Sequence, residues 1–119
     1  MTIAAVDLIR KHCKSCEGDV PALTGVEVQN HLPAVAAWRL TVDGKRIRRE
    51  WRVKDFLTAL DFFQRVGQLA EADDHHPDLH LTGYRDVALE LSTHAVGGLT
   101  ENDFILAAKI DQLPVELKK

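Results

Sequence analysis

Three histidines, His75, His76 and His80, fall within six residues in a run that begins Asp74-His75-His76-Pro77, and a fourth, His94, closes the best strand pattern in the chain. An imidazole with an unperturbed pKa of about 6.5 gives or takes a proton near neutrality, so such a cluster is a candidate acid/base site. Pro77 pushes the residue before it into an extended conformation. In extended backbone successive side chains point to opposite faces, so His75 and His76 diverge. Adjacent residues that diverge are poor chelators of one ion, and the chain has no paired Cys/His pattern to complete a metal site. Cys13 and Cys16 form a single C-x-x-C, to which His12 could add a third ligand, one short of a closed zinc site. A redox C-x-x-C follows a strand and opens a helix, whereas this one precedes the loop Gly18-Asp19-Val20-Pro21. The expectation is an unliganded or structural cysteine pair, with no metal and no cofactor.

The elements that must position these histidines come next. At 119 residues and 45% hydrophobic content, the chain fits a single domain, 1–119, whose first 20 residues are weakly patterned. A net charge of −3 argues against a general nucleic-acid or membrane binder. No apolar run approaches the ~20 residues of a membrane span, and the start lacks the order of a signal peptide, which gives a cytoplasmic expectation.

Thr24 and Glu27 have the spacing of a capping box, predicting a helix over 25–32 that Pro33 ends or bends. Trp38, Leu40 and Val42 alternate with polar residues, Asp43-Gly44 is a tight-turn dipeptide, and Ile47, Trp51 and Val53 share parity, predicting a β-hairpin. Arg46, Arg48, Arg52 and Lys54 take the other face, which reads as a solvated strand face or an anion patch, and Arg49 and Glu50 break the alternation. From Asp55 the period changes to three and four. Phe56, Leu60, Phe63, Gly67 and Ala70, flanked by Leu57, Val66 and Leu69, predict a helix over 55–71, with Phe62 off the stripe as a candidate subunit contact.

A second hairpin follows. Leu79 and Leu81 belong to one strand, Gly83 to Asp86 to the connection, and Val87, Leu89, Leu91 and Thr93 to one face of the next strand. His94 has the opposite parity and points away from the apolar face. Thr100 caps a last helix over 101–111, with Asp103 at the third position. The order α-β-β-α-β-β-α describes an α+β fold, a four-stranded antiparallel sheet with helices on one face and the other face open.

These residues resemble the pterin-4a-carbinolamine dehydratase family, whose pattern is an acidic residue, H-H-P, an aromatic, a histidine and an aspartate at set spacings. Here that pattern reads Asp74-His75-His76-Pro77, Tyr84, His94 and Asp103, and the flanks Arg52-Val53-Lys54-Asp55-Phe56, Leu91-Ser92-Thr93-His94 and Gly97-Gly98-Leu99-Thr100 are similar as well. The likeness covers about residues 35–111. It implies a pterin substrate, 4a-hydroxytetrahydropterin, dehydrated to quinonoid dihydropterin by histidine acid/base catalysis. It also implies a homodimer or homotetramer and a functional link to an aromatic amino acid hydroxylase. His75 and His94 would between them be proton donor and acceptor, in an order the sequence leaves open, and His76 would mainly bind the pterin or share in the proton transfer as a third catalytic histidine. Asp103 would orient a histidine or cap its helix, Asp74 is a second orienter, and Trp38 would line the pocket or lie in the core. His31 and His80 match nothing in the motif and are expected at the surface.

Two rival readings stay open. Some animal members stabilise the dimer of a homeodomain transcription factor through helix packing, which makes a regulatory binding module the alternative to an enzyme. An enzyme of this fold acting on another pterin, as in molybdenum-cofactor metabolism, shares the same histidine motif.

Overall fold

The computed structural model describes residues 3–13 and 21–119. The elements are α1 (Ala5–Ile9), α2 (Gly25–His31), β1 (Arg39–Leu40), β2 (Ile47–Arg52), α3 (Phe56–Asp73), β3 (Asp78–Thr82), β4 (Asp86–Leu91) and α4 (Glu101–Ile110). Two 3₁₀ turns, Leu32–Val35 and His94–Val96, lie between them. The four strands form one antiparallel sheet in the order β1-β2-β4-β3.

The register explains which face carries the helices. Ile47, Trp51, Val87, Leu89 and Leu91 are all buried and pack with Ala59, Phe62 and Val66 of α3 and with the apolar residues of α4. Arg48 pairs with Glu90 and Arg52 with Asp86 on the opposite face, so alternate residues of the same strands face outward. There Arg48 binds Glu90 and Glu50, and Arg46 binds Asp78 and Glu90. Hydrogen bonds from Arg48 hold the Glu90 carboxyl below its ordinary range. The basic strand face is thus a lattice of ion pairs.

Local sequence accounts for the helix ends. Thr24 and Glu27 complete their capping box, with the Thr24 hydroxyl accepting from Glu27 N–H at 3.2 Å and Glu27 Oε1 accepting from Thr24 N–H at 2.9 Å. Asp55 caps α3 by accepting from Thr58 N–H at 2.9 Å. That helix stops where Asp74 enters the left-handed region at φ +50°, a conformation that aspartate tolerates better than most residues.

Several expectations need correction. Residues 5–9 form a helix where weak patterning was expected; Leu8 is fully buried and α1 lies against α4. Helix α2 does end just before Pro33, at His31, and the chain tightens into a 3₁₀ turn that accepts proline in its first positions. The first strand is only Arg39–Leu40, and Val42 is fully exposed in the turn region. The buried side of α3 is rotated from the predicted stripe: Ala59, Phe62, Val66 and Ala70 are inside, and Phe56, Leu57 and Leu60 are exposed. Phe62, expected at a subunit contact, is 0% exposed and stands edge-on to Trp51 with ring centroids 5.0 Å apart. His31, expected at the surface, is buried. Its Nδ1 lies 2.7 Å from the Glu27 carbonyl, its Nε2 lies 3.3 Å from Glu101, and its ring is 5.0 Å from Phe104. His80 is exposed as expected. Among the described residues no helix is long and apolar enough to cross a membrane.

Candidate active site

The turn after α3 delivers His75 inward and His76 outward, the divergence expected of extended neighbours before Pro77. His75 is buried, and its Nε2 lies 2.6 Å from Asp103 Oδ1. Asp103 is 0% exposed, at the third position of α4. A carboxylate can only accept, so the ring nitrogen facing it, Nε2, is the N–H donor. Asp103 Oδ2 accepts from Thr100 N–H at 3.0 Å and from the Thr93 hydroxyl at 2.9 Å. Capping the helix and holding the histidine, alternatives in the sequence, are both performed by this one carboxylate.

His76 is exposed, with Nε2 2.8 Å from Glu71 Oε1. Glu71, on the last turn of α3, is a partner that the sequence reading missed. Its spacing of five residues from His76, across a helix end, carries no recognisable signal.

His94 opens a 3₁₀ turn just beyond β4 and is exposed; the strand expected to carry it stops at Leu91, so the turn and not strand parity sets its direction. The turn hangs from Thr93, whose N–H donates to the Gly98 carbonyl at 2.7 Å and whose carbonyl accepts from Val96 N–H at 3.2 Å. A hollow of about 340 Å³ lies on the open sheet face and one of about 300 Å³ beside His94. The hollow beside His94 is lined by Asp43, Lys45, Arg46, Thr93 and Gly98 among others, giving it a basic rim.

The remaining predicted residues take other places in the fold. Trp38 is 3% exposed, stands edge-on to Trp51 and donates its indole N–H to Asp111 at 2.8 Å, so the core is where it sits. Asp74 is exposed at the left-handed helix stop. Tyr84 is exposed in the β3–β4 turn, its ring under the Arg85 guanidinium. Cys13 donates its thiol to the Asn102 carbonyl at 3.5 Å; Cys16 lies outside the described residues. Among the described residues no three His, Cys, Asp or Glu side chains gather as a metal site would need.

Beside the centre, Asp73 is buried two residues before His75, where it binds Lys109 Nζ at 2.6 Å and His12 Nδ1 at 3.1 Å. Burial alone would raise its carboxyl, but the hydrogen bonds from Lys109 and His12 prevail and hold it below its ordinary range. Glu101 behaves alike: burial opposes, and Lys11 and His31 prevail. Both helix ends that frame His75 are therefore fixed by charge-assisted bonds.

Comparison with known proteins bears on this arrangement. The family model for pterin 4 alpha carbinolamine dehydratase matches residues 21–113. The chain belongs to that family. It is 53% identical over 113 residues to pterin-4-alpha-carbinolamine dehydratase 2, mitochondrial, of Arabidopsis thaliana, covering 92% of this chain and 60% of the plant protein. It is 42% identical over 112 residues to a Methylococcus capsulatus protein whose name gives the same dehydratase as a provisional assignment, covering 94% of this chain and 97% of that protein. The crystal structure of a transcriptional coactivator/pterin dehydratase from Brucella melitensis superposes with a TM-score of 0.71 at 34% identity, over 76% of this chain and 96% of that one. The family match takes in every element that frames the histidines, from α2 to α4.

Proposed function

We propose that this protein dehydrates 4a-hydroxytetrahydropterin to quinonoid dihydropterin and water, by proton transfer between substrate and histidines. The reaction needs one proton delivered to the departing 4a-hydroxyl and one removed from the ring nitrogen system, while the ring nitrogen's own electrons expel the water. No covalent intermediate is required, and positioned imidazoles supply about 10²- to 10⁴-fold of rate.

The observation that carries this reading is the buried His75–Asp103 pair. A carboxylate behind an imidazole fixes its tautomer and stabilises the imidazolium that forms when the ring accepts a proton. His75 is accordingly the acceptor, exposed His94 the donor, and His76, held by Glu71, the pterin-binding histidine. Asp103 orients His75; Asp74 ends α3, and Trp38 supports the sheet. The basic rim beside His94 gives the polar edge of a pterin somewhere to lie. The substrate would come from an aromatic amino acid hydroxylase, whose turnover leaves the carbinolamine.

Decay of enzymatically generated 4a-hydroxytetrahydropterin, followed by ultraviolet absorbance, tests the assignment. Acceleration by the wild type that His94→Ala largely loses while folded supports it; a folded wild type no faster than buffer refutes it.

A second reading has its own observation. Phe56, Leu57 and Leu60 form an exposed apolar row on α3, and one solved relative is titled a coactivator as well as a dehydratase. Such a row fits self-association into a homodimer or homotetramer, or a helical protein partner. Light scattering on the wild type and Leu57→Glu separates these: a mass that falls with the variant assigns the row to self-association.

A further inference from the structure

Thr93 looks, by sequence, like the last inward residue of a strand. Its side chain is instead one of three polar groups in a closed buried network: Thr93 is 1% exposed, and Thr100 and Asp103 are 0% exposed. The Thr93 hydroxyl donates to Asp103 Oδ2 at 2.9 Å and lies 2.7 Å from Thr100 Oγ1. Because the Thr93 proton points to the carboxylate, Thr100 donates to Thr93, while Thr100 Oγ1 accepts the Asn102 N–H at 3.2 Å. Every proton in the chain runs one way and ends on Asp103. The other oxygen of that carboxylate holds His75.

The backbone of Thr93 does something separate. Its N–H and carbonyl carry the turn that presents His94, the next residue in the chain. We propose that Thr93 is a positioning residue for both histidines: its hydroxyl locks the carboxylate that aims His75, and its backbone anchors the turn that aims His94. Resting on the dehydratase reading, the proposal adds a requirement for this one hydroxyl. With the hydroxyl gone, Asp103 Oδ2 keeps only the Thr100 N–H, the carboxylate gains freedom to rotate about its terminal torsion, and the hydrogen bond to His75 loses its fixed direction.

The test compares Thr93→Val, which keeps the shape and removes the hydroxyl, with Thr93→Ser, which keeps the hydroxyl. The dehydration assay should show kcat down at least tenfold in Thr93→Val with KM within twofold, and Thr93→Ser within threefold of wild type in both constants. A readout independent of turnover accompanies it: the His75 ring N–H proton, observed by NMR, should exchange with solvent at least tenfold faster in Thr93→Val than in wild type or Thr93→Ser. Equal exchange in all three proteins overturns the proposal whatever the assay shows. Faster exchange in Thr93→Val, in a wild type that dehydrates nothing, sustains the lock on His75 and refutes the dehydratase reading alone. Should Thr93→Val not fold, Thr93→Ala, which removes the hydroxyl without placing a methyl against Asp103 Oδ2, is expected to accelerate His75 exchange in the same direction, and its failure to do so overturns the proposal equally.

Discussion

Asp103→Asn changes one atom at the centre of the site, and the structure dictates how the new amide must lie. Asp103 Oδ2 faces the backbone N–H of Thr100, a donor that cannot rotate away, and the Thr93 hydroxyl. The asparagine oxygen must take that side, which keeps the helix cap and turns the NH₂ group toward His75. Two donors would then meet at the 2.6 Å position. The imidazole resolves this only by changing tautomer or turning from the amide, and either loses the aim on which the proposed proton transfer depends. Proton transfer by positioned side chains is worth about 10²- to 10⁴-fold, and the change disables one of two transferring groups, so kcat should fall about 100-fold. At about 1.36 kcal/mol per factor of ten, that is about 2.7 kcal/mol of transition-state stabilisation. KM should move little, because His76, the histidine proposed to bind the pterin, is held by Glu71 and not by Asp103. Stability should drop by only about 1–2 kcal/mol, since one charge-assisted bond is weakened and the cap survives. The assay is ultraviolet decay of the carbinolamine, with circular dichroism melts as the control for folding. A folded Asp103→Asn with kcat within threefold of wild type would show that the carboxylate only caps α4.

Three further outcomes follow from the same coordinates. Glu71→Gln should raise KM about threefold with kcat nearly unchanged, since the Glu71–His76 pair is exposed and such pairs are weak; a loss confined to kcat would move His76 into the proton-transfer step. Phe62→Ala should cost about 3–5 kcal/mol in urea unfolding, whereas exposed Leu57→Ala on the same helix should stay within about 0.5 kcal/mol; equal costs would contradict the packing of α3. Asp73 has a depressed carboxyl, so it contributes stability above its unfolded pKa that is lost as pH falls through the folded value. The stability gap between wild type and Asp73→Asn should therefore be constant above about pH 5 and close below about pH 4; a gap that persists at the lowest pH would mean the Lys109 and His12 bonds do not depend on the charge.

Features whose partners are near in sequence were readable from it. The capping boxes at Thr24/Glu27 and Thr100/Asp103 each span four residues, and both are present. Strand parity placed Val87, Leu89 and Leu91 inside, whereas His94 lies in a 3₁₀ turn beyond the end of the strand, where parity no longer decides its exposure. The phase of α3 was misread for a related reason. Phe56, Leu60 and Phe63 satisfy helical spacing as well as Ala59, Phe62 and Val66 do, and what decides is Trp51, across the core, meeting Phe62. Helix α1 is five residues long, too short to form on propensity, and it exists through the burial of Leu8. His31 seemed a surface residue because nothing near it in the chain reveals Glu101, 70 positions away. At the site, three histidines and Asp103 were legible as residue types with a spacing. Glu71 and Thr93 were not, because a glutamate on a helix and a threonine in a strand are what solvent and sheet would select in any case.

The double duty of Asp103 has a physical basis that the sequence posed as a choice. A carboxylate has two oxygens and about four acceptor positions, and here one oxygen completes the backbone of α4 while the other meets His75. Placing the orienting group at a helix N-terminus gives the charge a favourable dipole and a fixed main-chain donor, so the histidine is aimed by packed backbone, not by a mobile side chain. It also couples stability to chemistry. Any change that frays the first turn of α4, whether at Thr100 or at Glu101 with its Lys11 and His31 partners, reaches His75 through one hydrogen bond. Catalysis should then fail before global unfolding as such bonds weaken, because the end of a helix opens at lower cost than its core.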